Sequence, residues 1–164
     1  MPIPTVLVYR SVMLHRQIPI SLYAKPFCAA NNNTGVTDTI KFGITGTGTH
    51  TITLATEPLP VITDPIIIDG YTQTGTSENT QSSGSNAVLK IVLDGNQGTI
   101  TGTLANGLKI TAGDSTVKGL VINNFERYGI LLMDNGGNKI IGNYIGTDAD
   151  GTTVTQGNSS HGYV

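Results

Sequence analysis

Short apolar runs alternate with polar, turn-forming residues along most of the chain. Each run is a few residues long, is rich in Ile, Val and Thr, and is bounded by Gly, Asn, Asp or Thr. This pattern is typical of short β-strands. It therefore predicts an all-β fold built from many short strands. The runs lie at 39–42, 51–54, 66–68, 88–93, 108–111, 117–122, 130–132, 139–145 and 163–164.

Two of these stretches recur at a nearly fixed spacing. The tetrapeptide that begins at Gly107 recurs at Gly129, 22 positions later, and the segment 115–123 recurs as 138–146, 23 positions later. Such a period matches one β-helix coil with three short strands and three turns. A hairpin at Asn106 is not indicated, because the runs on its two sides do not mirror each other. We therefore predict a short right-handed parallel β-helix, a solenoid with a coil period of about 22 residues.

The predicted coils determine which residues lie next to one another. Strands of successive coils pair in parallel, about 4.8 Å apart, so each side chain lies beside its counterpart one period away. Asn143 follows a predicted corner, and we expect its side chain to bind backbone groups of the turn. The predicted pairs are Val117 with Ile140 and Ile122 with Ile145, all facing inward, and Gly119 with Gly142 at the corner.

The first part of the chain does not show the period. We interpret 1–30 as an irregular N-terminal segment in which Pro19 and Pro26 break any helix. Residues 31–164 are interpreted as the β-helix, truncated at its C-terminal end. The stretch 72–86 contains no apolar residue and is predicted to be a long, mobile polar loop between two strands.

Composition and charge narrow the range of partners. The net charge is −2, and no basic stripe of the kind that nucleic-acid binding requires is present, so no nucleic-acid partner is expected. No run of about 18 apolar residues occurs, so no membrane span is predicted. The start of the chain lacks the features of a signal peptide. The one cysteine, Cys28, allows no internal disulfide and is interpreted as a small buried apolar residue.

Three segments resemble a known class of protein. Segments 51–73, 107–125 and 138–158 resemble the first coils of large bacterial surface or secreted proteins that carry right-handed parallel β-helix repeats, in the pectin-lyase-like superfamily. The resemblance runs from Asn31 to the end of the chain and implies an extracellular or cell-surface location. In similar proteins a short amphipathic helix leads into the β-helix. Only the two ends of that helix match here, so residues 1–28 are interpreted as foreign to the family pattern.

The turn 146–152 is the strongest candidate for chemistry. Asp148 and Asp150 stand at alternate positions and Gly151 follows them, which places two carboxylates on one side of a tight turn. Calcium prefers such oxygen ligands, completed by backbone carbonyls. The turn is therefore a candidate Ca²⁺ site. The alternative is that these Asp and Gly residues only form a turn.

Four further residues are candidates for catalysis. Asp114 and Asp134 follow corresponding strands in adjacent coils, so we expect them on one corner, either binding a metal or sharing a proton, or acting as ordinary turn residues. In lyases of the resembled superfamily, a basic residue beside calcium-bound carboxylates removes a proton from an acidic sugar. This resemblance makes Lys118 and Lys139 candidates, with solvated, outward-facing lysines as the alternative. Asp94, at a strand end, is interpreted as a turn residue.

Three functions remain open, because the resembled superfamily includes lyases, hydrolases, adhesins and structural stalks. The first is a binding or structural module of a surface or secreted protein, with outward Thr and Asn ladders that face a carbohydrate. The second is a calcium-dependent hydrolase or lyase acting on an ester, a lactone or an acidic polysaccharide. The third is a gene fragment without an evolved function of its own. We also expect self-association through open β-helix ends, since such ends expose strand edges.

Overall fold

Short strands make up most of the regular structure. The computed structural model describes residues 6–9, 20–54, 57–97, 100, 105–154 and 157–159. The described helices are α1 Ile20–Asn32 and a 3-10 helix at Gly70–Thr72, and neither has the length and apolar character needed to cross a membrane. The strands are β1 Val6–Tyr9, β2 Asp38–Phe42, β3 His50–Thr53, β4 Ile66–Asp69, β5 Ile91–Asp94, β6 Leu108–Ile110, β7 Thr116–Lys118, β8 Leu120–Asn123, β9 Ile130–Leu132, β10 Lys139–Ile141 and β11 Tyr144–Ile145.

The strands form three parallel sheets. Sheet A has the order β1-β2-β4-β7-β10, sheet B the order β11-β8-β5-β3, and sheet C pairs β6 with β9. Ile62 extends sheet C through a parallel bridge to Ile110. The prediction of an all-β fold is confirmed, since the described chain consists mainly of strands in parallel sheets with little helix.

The chain visits the sheets in a repeated order. From β2 in sheet A it passes to β3 in sheet B and to Ile62 beside sheet C, and then β4, β5 and β6 repeat the same order. The strands β7, β8 and β9 repeat it again, and β10 and β11 begin a further round. The predicted register is confirmed in the last rounds. There Ile140 pairs with Val117, Ile145 with Ile122, and Ile130 with Leu108.

Aliphatic ladders from the sheets form the core. In sheet A, Ile40 pairs with Ile68, and Ile68 pairs with Val117. All three side chains are buried in one apolar cluster. Each fully buried side chain of this kind contributes about 1.5–3 kcal/mol. Because side chains alternate along a strand, the same strands direct every second residue outward. The corresponding ladder of sheet B is formed by Ile52, Leu93, Ile122 and Ile145.

The helix α1 corrects the expectation for the N-terminal part. Pro26 lies inside α1 without ending it, so the expectation that Pro26 breaks the helix is wrong. An internal proline removes one backbone hydrogen bond and costs about 3 kcal/mol in an isolated helix. Here Phe27 and Ala30 are buried in the core, and their burial offsets that cost. The interpretation of 1–30 as irregular is likewise wrong where β1 and α1 lie, since β1 pairs in parallel with β2.

Two side chains of α1 show how the helix sits on the sheets. Cys28 is exposed, so the interpretation of Cys28 as a buried residue is wrong. It lies about 100° around the helix from Phe27, whose face is buried. At the end of the helix, the Asn31 side chain donates to the Val61 carbonyl at 2.7 Å and accepts from the Thr63 backbone N–H at 3.0 Å. The amide of Asn31 therefore fastens the helix to the segment beside it.

The corner between sheets A and B behaves as predicted. Gly119 and Gly142 both have positive φ, +70° and +60°, a conformation that favours glycine. The Asn143 side chain accepts from the Leu120 backbone N–H at 3.0 Å and donates to the Val117 carbonyl at 2.8 Å. The expectation that Asn143 binds backbone groups of the turn is confirmed.

The polar segment 72–86 begins in the 3-10 helix and lies mostly on the surface. It is held by contacts within the segment and by contacts to Val88 and Tyr144. Ser77 forms an antiparallel bridge with Val88, and Asn79 accepts from the backbone N–H of Asn86 at 3.1 Å. The hydroxyl groups of Ser85 and Tyr144 lie 2.9 Å apart. The predicted polar loop is present, and its mobility stays a prediction.

Candidate functional site

A polar groove on the outer face of sheet B is the best candidate site. It encloses about 250 Å³ and lies above β3, β5 and β8. Its lining combines two carboxylates and two side-chain amides with threonine and small apolar groups. The lining residues are Thr49, Thr51, Val92, Asp94, Asn123, Asn124, Asp148 and Ala149.

Strand alternation places these side chains on the outside. In β5, Ile91 and Leu93 belong to the core, whereas Val92 packs in a separate cluster on the outer face. Asp94, two residues after Val92, points to the same side. In the register of the sheet, Asp94 pairs with Asn123. The ends of two neighbouring strands therefore bring a carboxylate and an amide together.

The carboxylate of Asp94 is held in place by hydrogen bonds. Its Oδ1 accepts from the Asn96 backbone N–H and from the Asn124 side chain, both at 2.9 Å, and its Oδ2 accepts from the Thr53 hydroxyl at 3.3 Å. Asn96 and Asn124 have positive φ, +48° and +61°, which asparagine tolerates better than most residues. The turns after β5 and β8 thus fix the charge at the edge of the groove.

Asn123 carries a buried side-chain amide that is only partly hydrogen-bonded. It is 5% exposed. Its Nδ2 donates to the Thr147 carbonyl at 3.0 Å and lies 3.5 Å from Asp148 Oδ1. Its Oδ1 has no hydrogen-bond partner, and the same holds for Asn124 Oδ1 and Thr147 Oγ1 beside it. A buried polar atom left without a partner costs about 1–3 kcal/mol, so these three atoms lower the stability of the fold beside the groove.

The two carboxylates of the predicted calcium turn have different surroundings. Asp148 lines the groove. Asp150 closes its own turn, because its Oδ1 accepts from the backbone N–H groups of Thr152 and Thr153 at 2.9 and 2.8 Å, and its Oδ2 accepts from the Thr153 hydroxyl. Within the described ranges, no three His, Cys, Asp or Glu side chains lie close enough together to hold a metal. Calcium at the Asp148–Asp150 pair stays a prediction.

Protonation of Asp150 should weaken the fold at low pH. The Thr153 hydroxyl, followed by the backbone N–H groups of Thr153 and Thr152, lowers the pKa of Asp150 from 3.8 to about 2. The folded-state pKa is depressed, so the stabilisation is present above about pH 4 and is lost as the pH falls through 3.8 towards 2. The thermal midpoint of Asp150→Asn should therefore lie below that of the parent protein at pH 5, and the two midpoints should converge near pH 2.

The control for this measurement is Asp134→Asn, which removes one negative charge from a different turn. This variant separates the loss of one negative charge from the loss of the hydrogen bonds that Asp150 accepts. If the curve for Asp150→Asn runs parallel to that of the parent protein, the proposed role of the Asp150 carboxylate is wrong.

Asp114 and Asp134 occupy turns after sheet C. Both have positive φ, +55° and +68°. The Asp114 backbone N–H donates to the Gly136 carbonyl at 3.0 Å, and its carboxylate lies against Gly137, where an added Cβ would come within 2.1 Å of Asp114 Oδ1. Asp134 lines a shallow depression formed by residues 132–138. The structure thus places Asp114 opposite Gly136 and Gly137, and a shared proton between the two carboxylates stays a prediction.

The candidate lysines lie on sheet A, outside the lining of the groove. Lys118 pairs with Asp69 in the register of β4 and β7, and its Nζ lies 3.0 Å from Asp69 Oδ2. Its side chain is 30% exposed. The interpretation of Lys118 as a freely solvated residue is therefore wrong. Lys139 is exposed, as expected. The structure does not bring either lysine into the lining of the groove with Asp94 and Asp148.

The sequence indicates Asp148 as a site residue but does not indicate most of the other residues that line the groove. Asp94 is a turn residue as expected, since its Oδ1 accepts from the Asn96 backbone N–H, but the sequence does not indicate that Asp94, Asn123 and Thr51 line a groove. The usable signal was the alternation within each strand, which directs Thr51 and Asp94 to the side opposite the core. Alternation gives the outward-facing residues of each strand, but only the register between strands shows which of them are neighbours.

Comparisons with protein-family models, with curated proteins and with solved structures found no match to this chain. The choice among functions therefore depends on the geometry of the groove and on its unpaired polar atoms.

Proposed function

We propose that the three sheets are the faces of a short right-handed parallel β-helix. The support is the repeated order of sheets A, B and C along the chain, together with parallel pairing at every strand contact described. The coil period is close to 22 residues in the last rounds, where Leu108 pairs with Ile130. Earlier rounds are longer, because 70–90 and 95–107 add residues between strands.

We propose further that the protein is a binding module for a carbohydrate, with the groove on sheet B as its site. The observation that carries this proposal is the lining itself, in which Asp94, Asn123 and Asp148 surround the apolar side chain of Val92. Sugars present hydroxyl groups at their edges and C–H groups on their faces. Carboxylates and amides bind the hydroxyl groups, and a small apolar floor accepts the C–H face. Tyr144 packs in the apolar cluster beside this floor.

The groove supports binding better than it supports proton abstraction. A lyase of the kind implied by the resemblance requires a basic residue beside the acidic ones. Lys118 is paired with Asp69 on sheet A, and neither Lys118 nor Lys139 lines the groove. The calcium-dependent hydrolase or lyase therefore ranks below the binding module.

A glycan array probed with the labelled protein tests the binding proposal. We expect retention on a limited set of glycans. The double variant Asp94→Asn with Asp148→Asn should weaken retention at least tenfold, because a hydrogen bond to a charged group contributes about 1.5–3 kcal/mol.

The matched control is Asp114→Asn with Asp134→Asn. It also removes two negative charges, but outside the groove. Asparagine tolerates the positive φ at both positions. This control should bind as the parent protein does. Equal loss in both double variants would show that net charge, not the groove, governs retention, and no retention of the parent protein on any glycan would overturn the proposal.

A further inference from the structure

We infer that Asn135 is a site of spontaneous deamidation, the conversion of a side-chain amide to a carboxylate. Asn135 precedes Gly136 in the turn that follows β9. A glycine after an asparagine favours the ring closure that begins this reaction, because its backbone is free to rotate and carries no side chain in the way. The inference goes beyond the proposed function, since it concerns a turn outside the groove and requires no carbohydrate ligand.

The reaction requires the chain, a base such as hydroxide, and water. The Gly136 backbone nitrogen gives its proton to the base and attacks Cγ of Asn135, so that an N–Cγ bond forms. The Cγ–Nδ2 bond breaks, and Nδ2 takes up a proton and leaves as ammonia. Water then opens the cyclic imide at either of its carbonyls. Opening at Cγ yields aspartate, whereas opening at the main-chain carbonyl yields isoaspartate, in which the main chain runs through Cγ.

The turn leaves both reacting groups accessible. Asn135 and Gly136 are exposed, and a Cβ added to Gly136 would meet nothing within 4 Å. The Gly136 backbone N–H donates no hydrogen bond to the described part of the chain, so a base removes its proton without breaking such a bond. Asn135 Nδ2 donates to the Thr111 carbonyl at 2.8 Å. This bond lies at the surface, where water replaces the departing donor.

A second Asn-Gly pair, Asn106 with Gly107, has the opposite surroundings. Asn106 is 5% exposed, and the Gly107 backbone N–H donates to the Tyr128 carbonyl at 2.9 Å. A Cβ added to Gly107 would come within 2.2 Å of the Gly129 carbonyl oxygen, so the backbone of this pair packs directly against a neighbouring segment. Asn106 must therefore react from a locally opened chain, and it serves as a reference within the same molecule.

The product changes the charge of the turn. Asp134 precedes Asn135 in the chain, and the Asp114 backbone N–H donates to the Gly136 carbonyl at 3.0 Å. Conversion adds a third carboxylate to this turn and makes the net charge of the protein more negative. It also replaces the donor to the Thr111 carbonyl with a negatively charged oxygen, which that carbonyl repels.

Incubation of the folded protein at mildly alkaline pH, followed by proteolysis and mass spectrometry of the peptides, tests the inference. We expect Asn135 to be converted at least about tenfold faster than Asn106, because Asn106 reacts only after local opening. In denaturant the two residues should react at similar rates, since each precedes a glycine. Gly136→Ala should slow the conversion of Asn135 at least about tenfold, because the added methyl group hinders ring closure, and should leave Asn106 unchanged.

Circular dichroism verifies that Gly136→Ala is folded, and the comparison of Asn135 with Asn106 in the parent protein keeps the test decisive if the variant unfolds. Equal rates at the two residues in the folded protein would overturn the inference. A rate at Asn135 far below its rate in denaturant would also overturn it, since the bond to the Thr111 carbonyl would then hold the side chain unreactive. Because no ligand takes part, a negative glycan array would leave this result unaffected.

Discussion

Replacing Gly70 by alanine should lower the free energy of unfolding by about 3 kcal/mol, the upper part of the usual range for overpacking. Gly70 is buried where the chain leaves β4, and its backbone lies directly against Gly119, which follows β7. An added Cβ would come within 2.1 Å of the Gly119 carbonyl oxygen and 2.6 Å of the Gly119 carbonyl carbon. These are backbone atoms, so the contact can be relieved only by moving the backbone segments after β4 and β7 apart. Chemical denaturation followed by circular dichroism measures the change.

Gly136→Ala provides the control for Gly70→Ala. An added Cβ at Gly136 would meet nothing within 4 Å, and the change in unfolding free energy should stay within about 0.5 kcal/mol, as is usual for surface sites. Similar losses in the two variants would show that the packing between the corners at Gly70 and Gly119 is looser than the structure indicates.

Truncation of Ile68 to alanine should destabilise the fold by about 2–5 kcal/mol. Ile68 is 1% exposed and lies in the ladder between Ile40 and Val117. Its removal leaves a cavity that the neighbouring strands β2 and β7 cannot fill, because the backbone hydrogen bonds of sheet A hold their spacing. The same denaturation experiment measures the loss.

Ile141→Ala is the matched control for Ile68→Ala, since it makes the same chemical change in the same sheet. Ile141 is 52% exposed on β10, and its truncation should cost less than about 1 kcal/mol. A loss at Ile141 as large as the loss at Ile68 would contradict the assignment of the inner and outer faces of sheet A.

The periodic part of the fold was predictable from the sequence. In the last rounds few residues separate the strands, so the spacing between similar segments equals the register between strands. Val117 with Ile140 and Ile122 with Ile145 were predicted as pairs and are paired. The role of Asn143 was also predictable, because a polar side chain next to a glycine corner has backbone groups within reach.

The helix was not predictable from local rules. Pro26 argues against a helix whenever the segment is considered by itself. The buried positions of Phe27 and Ala30 depend on the sheets against which the helix packs, and these lie in a later part of the sequence. The local preference against a helix contributes little free energy, and the packing of the helix against the core outweighs it here.

The residues of the candidate site were likewise only partly predictable from the sequence. By itself the sequence indicated the strands from β2 onward, their alternation, the spacing of about 22 residues between the last paired strands and the candidacy of Asp148. Only the tertiary structure decided that Asp94 and Asn123 line the same groove as Asp148. The physical reason is that long connecting segments separate the paired strands β3, β5 and β8 in the sequence. The Thr53 hydroxyl, for example, donates to Asp94, which lies 41 positions later in the chain. This separation is not a multiple of 22 residues, so only the packing of the sheets determines it.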